Sequence, residues 1–231
     1  MLGRQEGRPV LQLRQPSPVL PGPPPQVRPR PRGYTLIEVL VGIAILGILL
    51  AVGVPNMTQW IVSNKARAAS EFYLDGLSMA RRQAVAHNAR SRFVLTPGTN
   101  GQFDWQVDLC FPAPGVPCTD DTGNWSTTAA AAAGDPEGAT GFRSVFRAAT
   151  SLPPSSILIP AVAPEGATAV YFTELGWVDT TIQDRLTRLR LDPSTGLAGD
   201  VRAAAVAVTL AGMAAKCDPA TVAPDSRACP P

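Results

Sequence analysis

Residues Leu36–Val54 read LIEVLVGIAILGILLAVGV, nineteen residues with one charge, Glu38. As a helix this run is roughly 28 Å long, close to the hydrocarbon thickness of a bilayer. An apolar stretch of that length with a single charge predicts a membrane span. Arginines at 4, 8, 14, 28, 30 and 32 precede it. The positive-inside rule therefore keeps residue 1 cytoplasmic and carries the C-terminus across the membrane. The lone carboxylate near the start of the span then demands a reason, because an unpaired charge in lipid is costly.

Residues 1–33 are basic and Pro-rich, with Pro21-Gly22-Pro23-Pro24-Pro25 at their centre. Such Pro density excludes helix and strand. The segment is a leader rather than a conventional secretory signal, because no small-x-small cleavage site follows the apolar run. Residues 1–26 carry no recognisable element. A start at Val27 would leave the seven-residue leader VRPRPRG, so the natural start is expected there.

Residues 34–55 form the expected span, and Pro55 the expected bend. Residues 56–90 hold good helix formers and no proline. Trp60, Ile61, Ala68, Phe72, Leu77, Ala80 and Ala84 predict one apolar helix face, with Phe72, Leu77 and Ala80 in the core. Residues 91–231 change to short apolar alternations bounded by Gly and Pro. They predict strands at Ser91–Thr96, Gln102–Leu109, Ser156–Val162, Thr168–Phe172, Leu186–Leu191 and Ala203–Leu210. Pro112–Gly141 reads as a long surface loop, with one helical turn expected at Ala129–Ala133. The fold class is α+β: a long N-terminal helix, membrane-spanning in its first half, packed on a C-terminal antiparallel β-sheet domain.

The net charge of +2 conceals a segregation. The first 33 residues hold six arginines and one acid, which leaves 14 basic and 17 acidic residues, a formal −3, on the rest. A net-basic nucleic-acid footprint is absent from the main body. The four cysteines are Cys110, Cys118, Cys217 and Cys229. They lack CxxC spacing, and the single histidine, His87, is remote in sequence, so no metal or other cofactor is expected. An even count in an oxidising compartment reads as two disulfides. Three connectivities are possible; proximity favours Cys110–Cys118 and Cys217–Cys229.

Gly33-Tyr34-Thr35-Leu36-Ile37-Glu38-Val39, preceded by Arg32, resembles the prepilin cleavage motif of type IV pilins and type II secretion pseudopilins. The resemblance implies cleavage after Gly33 by a prepilin peptidase and N-methylation of Tyr34. It also implies pairing of Glu38 with the new amine of a neighbouring subunit during assembly. Leu77 to Asn88, the strand Ser91–Leu95, Val170 to Gly176, and Val206 to Gly212 followed by Cys217 are similar to the GspH/FimT-type minor pilins and pseudopilins. The implied partners are the peptidase, other major and minor pilins or pseudopilins, and an inner-membrane assembly platform. The implied chain is a structural subunit of a type IV pilus or its tip, not an enzyme. The alternatives are an H-class pseudopilin of type II secretion and a DNA-binding pilin. DNA-binding relatives resemble one another in a Gly-Arg-x-Arg element before the last Cys. Here that place reads Gly212-Met213-Ala214-Ala215-Lys216. Lys216, Arg188 and Arg190 remain the weak DNA-binding candidates, and a solvated strand face is the competing reading for the two arginines.

Other chemistry is not supported. His87 with Ser78 or Asp75 lacks a nucleophile elbow or oxyanion element. Asp192-Pro193-Ser194-Thr195-Gly196 is turn chemistry rather than a phosphate loop. Asp120-Asp121 lacks the alternating acids of a calcium loop.

Overall fold

The structure is a computed structural model and describes residues 33–199 and 201–230. The expected leader and the Val27 start lie outside the described residues. The chain divides into two units, residues 1–46 and 47–231.

Helix α1 runs from Leu36 to His87 and continues through Pro55. From Leu36 to Ala51 its side chains are exposed. The helix is long and apolar enough to cross a membrane. It ends at Asn88, which takes a left-handed φ of 46°. The Ala89 amide reaches back to the Ala84 carbonyl at 3.0 Å and satisfies an end carbonyl.

The second unit carries two antiparallel four-stranded sheets. Eight strands build them: β1 (Arg90–Pro97), β2 (Phe103–Cys110), β3 (Val145–Arg147), β4 (Leu158–Ala163), β5 (Ala169–Phe172), β6 (Arg188–Pro193), β7 (Ala204–Val208) and β8 (Ala214–Cys217). One sheet has the order β3-β2-β1-β5 and the other β4-β6-β7-β8. The two are joined where the Leu186 amide donates to the Ala169 carbonyl at 2.6 Å. Phe93 lies opposite Val107 and Val170 in the first sheet, and Leu189 opposite Val206 in the second. All five are buried in one core with Ala69, Tyr73, Leu77, Ala80 and Ala84 of α1.

Polar groups tie helix to sheet at fixed points. The Trp105 indole donates to the Phe72 carbonyl at 3.0 Å, and the Ser91 hydroxyl to the Ala80 carbonyl at 2.7 Å. The Tyr73 hydroxyl donates to the Phe103 carbonyl and accepts from the Phe103 amide. Burial pushes that phenol well above its usual pKa, outweighing its backbone hydrogen bond. Gly76 sets the helix–sheet distance. A Cβ there would lie 2.5 Å from a Phe93 ring carbon.

The six expected strands are present, with ends shifted by at most two residues. Three expectations need correction. The buried stripe of α1 begins at Val62, Ala66, Ala69 and Tyr73, not at Trp60, Ile61 and Ala68, and Phe72 is only partly buried at its edge. Small residues win those places because α1 approaches the sheets closely, and Tyr73 is admitted because its hydroxyl is satisfied. The short strands β3 and β8 were not anticipated; both depend on a neighbouring strand rather than on apolar alternation of their own. Ala129–Ala133 forms no helical turn. Ala131 instead bridges to Arg143, and Gly134 with a φ of 89° turns the chain.

Both proximity pairings occur: Cys110–Cys118 and Cys217–Cys229 are bonded. The second holds the C-terminal tail, where Asp218 bridges to Ala228. In the chain-entropy model each short loop contributes on the order of 2–3 kcal/mol.

Candidate assembly site

The first turn of α1 is built by Thr35. Its carbonyl accepts from the Glu38 amide at 3.1 Å and the Val39 amide at 3.2 Å, and its hydroxyl accepts from the Glu38 amide at 3.3 Å. This is N-cap chemistry, and it places the Glu38 carboxylate where the helix dipole favours an anion. Gly33 and Tyr34 precede the helix and are exposed, and a Cβ at Gly33 would meet nothing within 4 Å. The peptide bond between them is sterically open. Glu38 is exposed too, and among the described residues no cation is paired with it. The site is an exposed acid in the first turn of an apolar helix whose own first turns are exposed.

The three weak DNA-binding candidates do not form one face. Lys216 is ion-paired to Glu71 of α1. It lies opposite Val206, and Val206 opposite Leu189, so Lys216 belongs to the sheet face turned to the helix. Arg188 and Arg190 lie opposite Ala207 and Ala205, on the other face. Arg190 donates from one terminal nitrogen to Asp192 at 2.8 Å. His87 contacts the Phe142 ring, and Asp75 pairs with Arg82 at 3.9 Å. Among the described residues no group of acids, cysteines and histidine is placed to hold a metal ion.

Sequence reasoning missed a second feature. Three fragments distant in sequence meet in space: Arg81 of α1, the turn at Gly176 and the turn at Gly212. The two turns are copies of one pattern, Thr-x-x-Gly-apolar, in Thr173–Trp177 and Thr209–Met213. In each, the Gly amide donates to the first carbonyl at 2.8 Å and the last amide donates to the Thr hydroxyl at 3.3 Å. Gly176 and Gly212 have φ of 76° and 75°. They touch: a Cβ on Gly212 would lie 1.9 Å from the Gly176 carbonyl oxygen. Arg81 donates from Nε to that same oxygen at 3.2 Å, and the Val178 amide donates to the Leu210 carbonyl at 3.0 Å. The repeated pentapeptide was the available signal. Its meaning depends on a contact between residues 36 positions apart, which periodicity does not report.

Beside this junction, Arg90 bridges Glu174 at 3.4 Å and the buried carboxylate of Asp179. Burial pushes the Asp179 carboxyl up, but hydrogen bonds from the Thr181 hydroxyl and amide, with the Arg90 guanidinium, outweigh it. The carboxyl is held below its usual pKa.

Residues 28–54 match the family described as the prokaryotic N-terminal methylation motif. The chain is also similar to the type IV major pilin protein PilA of Myxococcus xanthus (strain DK1622), with 29% identity over 108 residues. That similarity covers 39% of this chain and 49% of the relative, so the chain spans about half the length of the curated relative it matches. No solved structure matches. The methylation motif and the pilin similarity support a type IV pilin-like superfamily.

Proposed function

We propose that this chain is a minor type IV pilin of the GspH/FimT type, a structural subunit rather than an enzyme. One observation carries the reading. The Gly33–Glu38 motif opens a helix long and apolar enough to cross a membrane, and the same chain carries a disulfide-closed sheet domain. An inner-membrane-anchored pilin fits this layout. The N-terminus is cytoplasmic and the sheet domain periplasmic, where its cysteines oxidise. A prepilin peptidase cuts after Gly33 and Tyr34 is N-methylated. The assembly platform then moves the subunit into a pilus or its tip, beside other pilins.

Cleavage and the position of Glu38 are coupled by electrostatics. Cutting the Gly33–Tyr34 bond creates an ammonium four residues before the carboxylate. Within one subunit the Thr35 cap directs Glu38 along the first turn. In a packed helix bundle the amine of a neighbour can reach it. Pairing removes most of the cost of enclosing either charge alone, and it sets register, the best-attested use of a buried ion pair. The pilin similarity favours a pilus over the pseudopilus of type II secretion.

Mass spectrometry of the mature chain tests the proposal. The expected N-terminus is methylated Tyr34, with Gly33→Leu left unprocessed. A mature N-terminus elsewhere refutes it. Deleting the gene should remove surface filaments; loss of secreted proteins with filaments intact selects the pseudopilin instead.

A further inference from the structure

We infer that a cleft between α1, the start of β7 and the disulfide-closed C-terminal loop binds a phosphomonoester, the dianionic end group of a phosphorylated small molecule or lipid. The site is the same whether or not the apolar helix enters a filament. The cleft is about 570 Å³, within the range that holds a small ligand. Arg67 of α1, Arg202 just before β7, Lys216 of β8 and Arg227 of the loop all line it. Those are four of the fourteen basic residues after Gly33, on a body whose formal charge is −3. One acid, Asp218, lines it with them. Like charges gathered in one hollow repel, so the arrangement adds nothing to folding; walls of one sign do concentrate anions.

The four cations divide by what they already hold. Lys216 is paired with Glu71 and so ties β8 to α1. Arg227 is paired with Asp225 at 2.8 Å, inside the loop that Cys217–Cys229 closes. These two pairs fix the walls. Arg67 and Arg202 are exposed, and among the described residues neither is paired with a carboxylate. Asp218 Oδ1 accepts from the Ala220 amide at 2.9 Å, which holds that carboxylate in its own turn. Two guanidiniums on two different walls are left to meet a ligand. Walls held in advance lower the cost of binding it.

The ligand follows from charge and geometry. A guanidinium fork matches both carboxylate and phosphate. A carboxylate has a single charge and a pair of oxygens, enough for one fork. A phosphomonoester carries nearly two charges at neutral pH and offers three acceptor oxygens, enough for both forks. The Ser63 and Ser226 hydroxyls also line the cleft and can donate to the same oxygens. A phosphodiester has a single charge per phosphate, and the acidic body around the cleft works against a nucleic-acid chain. The cations lie at positions 67, 202, 216 and 227, so no local stretch of sequence reports the cleft.

Calorimetric titration of the full chain in a non-ionic detergent tests this. Phenyl phosphate is the soluble probe and dihexanoyl phosphatidic acid the lipid-borne one. At least one should bind with one-to-one stoichiometry, and the tighter of the two assigns the source. Dimethyl phosphate, a monoanion, and malonate, a dicarboxylate, should bind at least tenfold more weakly than that probe. Arg67→Gln and Arg202→Gln, both at exposed positions, should each weaken the probe at least tenfold, as losing a charge-assisted hydrogen bond does. Lys65→Gln, which removes an exposed cation of α1 outside the cleft, should change affinity less than twofold. Failure of both probes to bind overturns the inference, and so does unchanged affinity in Arg67→Gln or Arg202→Gln. Malonate binding as tightly as the probe overturns the phosphate assignment. A loss in Lys65→Gln equal to that in the arginine variants overturns the site, because the attraction then belongs to the surface at large. Displacement of the probe by duplex DNA at equal phosphate concentration also overturns it, in favour of a nucleic-acid surface.

Discussion

Replacing Gly76 with Ala sets two known effects against each other, and the structure says which wins. In a helix interior Gly→Ala gains about 1 kcal/mol from backbone entropy and helix propensity. Gly76 sits mid-helix, so propensity alone predicts a more stable protein. The new methyl, however, would lie 2.5 Å from Phe93 Cε2 and 2.8 Å from Trp105 Cδ2. Carbon atoms settle at about 3.5–4.0 Å, so something must move by roughly 1 Å. Neither ring can swing away. Phe93 and Trp105 are fully buried, and the Trp105 indole is hydrogen-bonded to the Phe72 carbonyl on α1 itself. Lifting the helix instead would stretch that bond and the Ser91–Ala80 bond. Overpacking of this kind costs about 1–3 kcal/mol, and a lost hydrogen bond about 0.5–1.5 more. The clash outweighs the propensity gain, and Gly76→Ala should destabilise by about 1–3 kcal/mol. Urea unfolding of residues 56–231 with disulfides intact, followed by Trp fluorescence, measures it. Ala68→Gly, at an exposed position on the same helix, calibrates the propensity effect and should cost about 1 kcal/mol. A Gly76→Ala midpoint equal to or above the parent's, at unchanged slope, would falsify the close-approach argument.

Glu38→Ala should leave cleavage after Gly33 intact and reduce incorporation into filaments at least tenfold, scored by immunoblot of sheared filaments against membranes; normal incorporation sinks the pairing argument. Asp179→Asn should cost about 1–3 kcal/mol at pH 7, because Arg90 loses a buried charged partner. The folded-state pKa of Asp179 is depressed, so its contribution is present above the unfolded value near 3.9 and is lost as pH falls through the folded one. The gap between parent and Asp179→Asn should therefore close below about pH 4, and a gap independent of pH between 7 and 3 refutes this. Cys217→Ser with Cys229→Ser should lower stability by about 2–3 kcal/mol and make the tail after Asp218 sensitive to protease, with residues 90–210 spared; equal protease resistance in both forms argues against the tie.

What could be read from sequence divides along a physical line. The apolar run, the prepilin-like motif, the change from helix to strand near residue 90 and six strands are local. They depend on apolar run length, on turn residues and on period-two alternation, all of which lie within a window of twenty residues. The disulfides were legible because each closes a short loop. Leu77, Ala80 and Ala84 lie in the core as expected, but the first part of the α1 face was misread, Ala68 for Ala69 and Phe72 for Tyr73, because the large residues Trp60, Ile61 and Phe72 report surface as well as core. What decides burial is how closely the helix can approach, and that is carried by Ala66, Ala69, Ala80 and Gly76, whose hydrophobicity is modest. Lys216 illustrates the same limit in charge. From sequence it is a free cation near the last strand, yet Glu71, 145 residues away, neutralises it across the helix–sheet seam. The junction of Arg81, Gly176 and Gly212 was invisible for a further reason. Each member has an adequate local explanation, as helix surface or as turn. Only together do they present the exposed Leu175, Trp177, Leu210 and Met213 as one rigid surface.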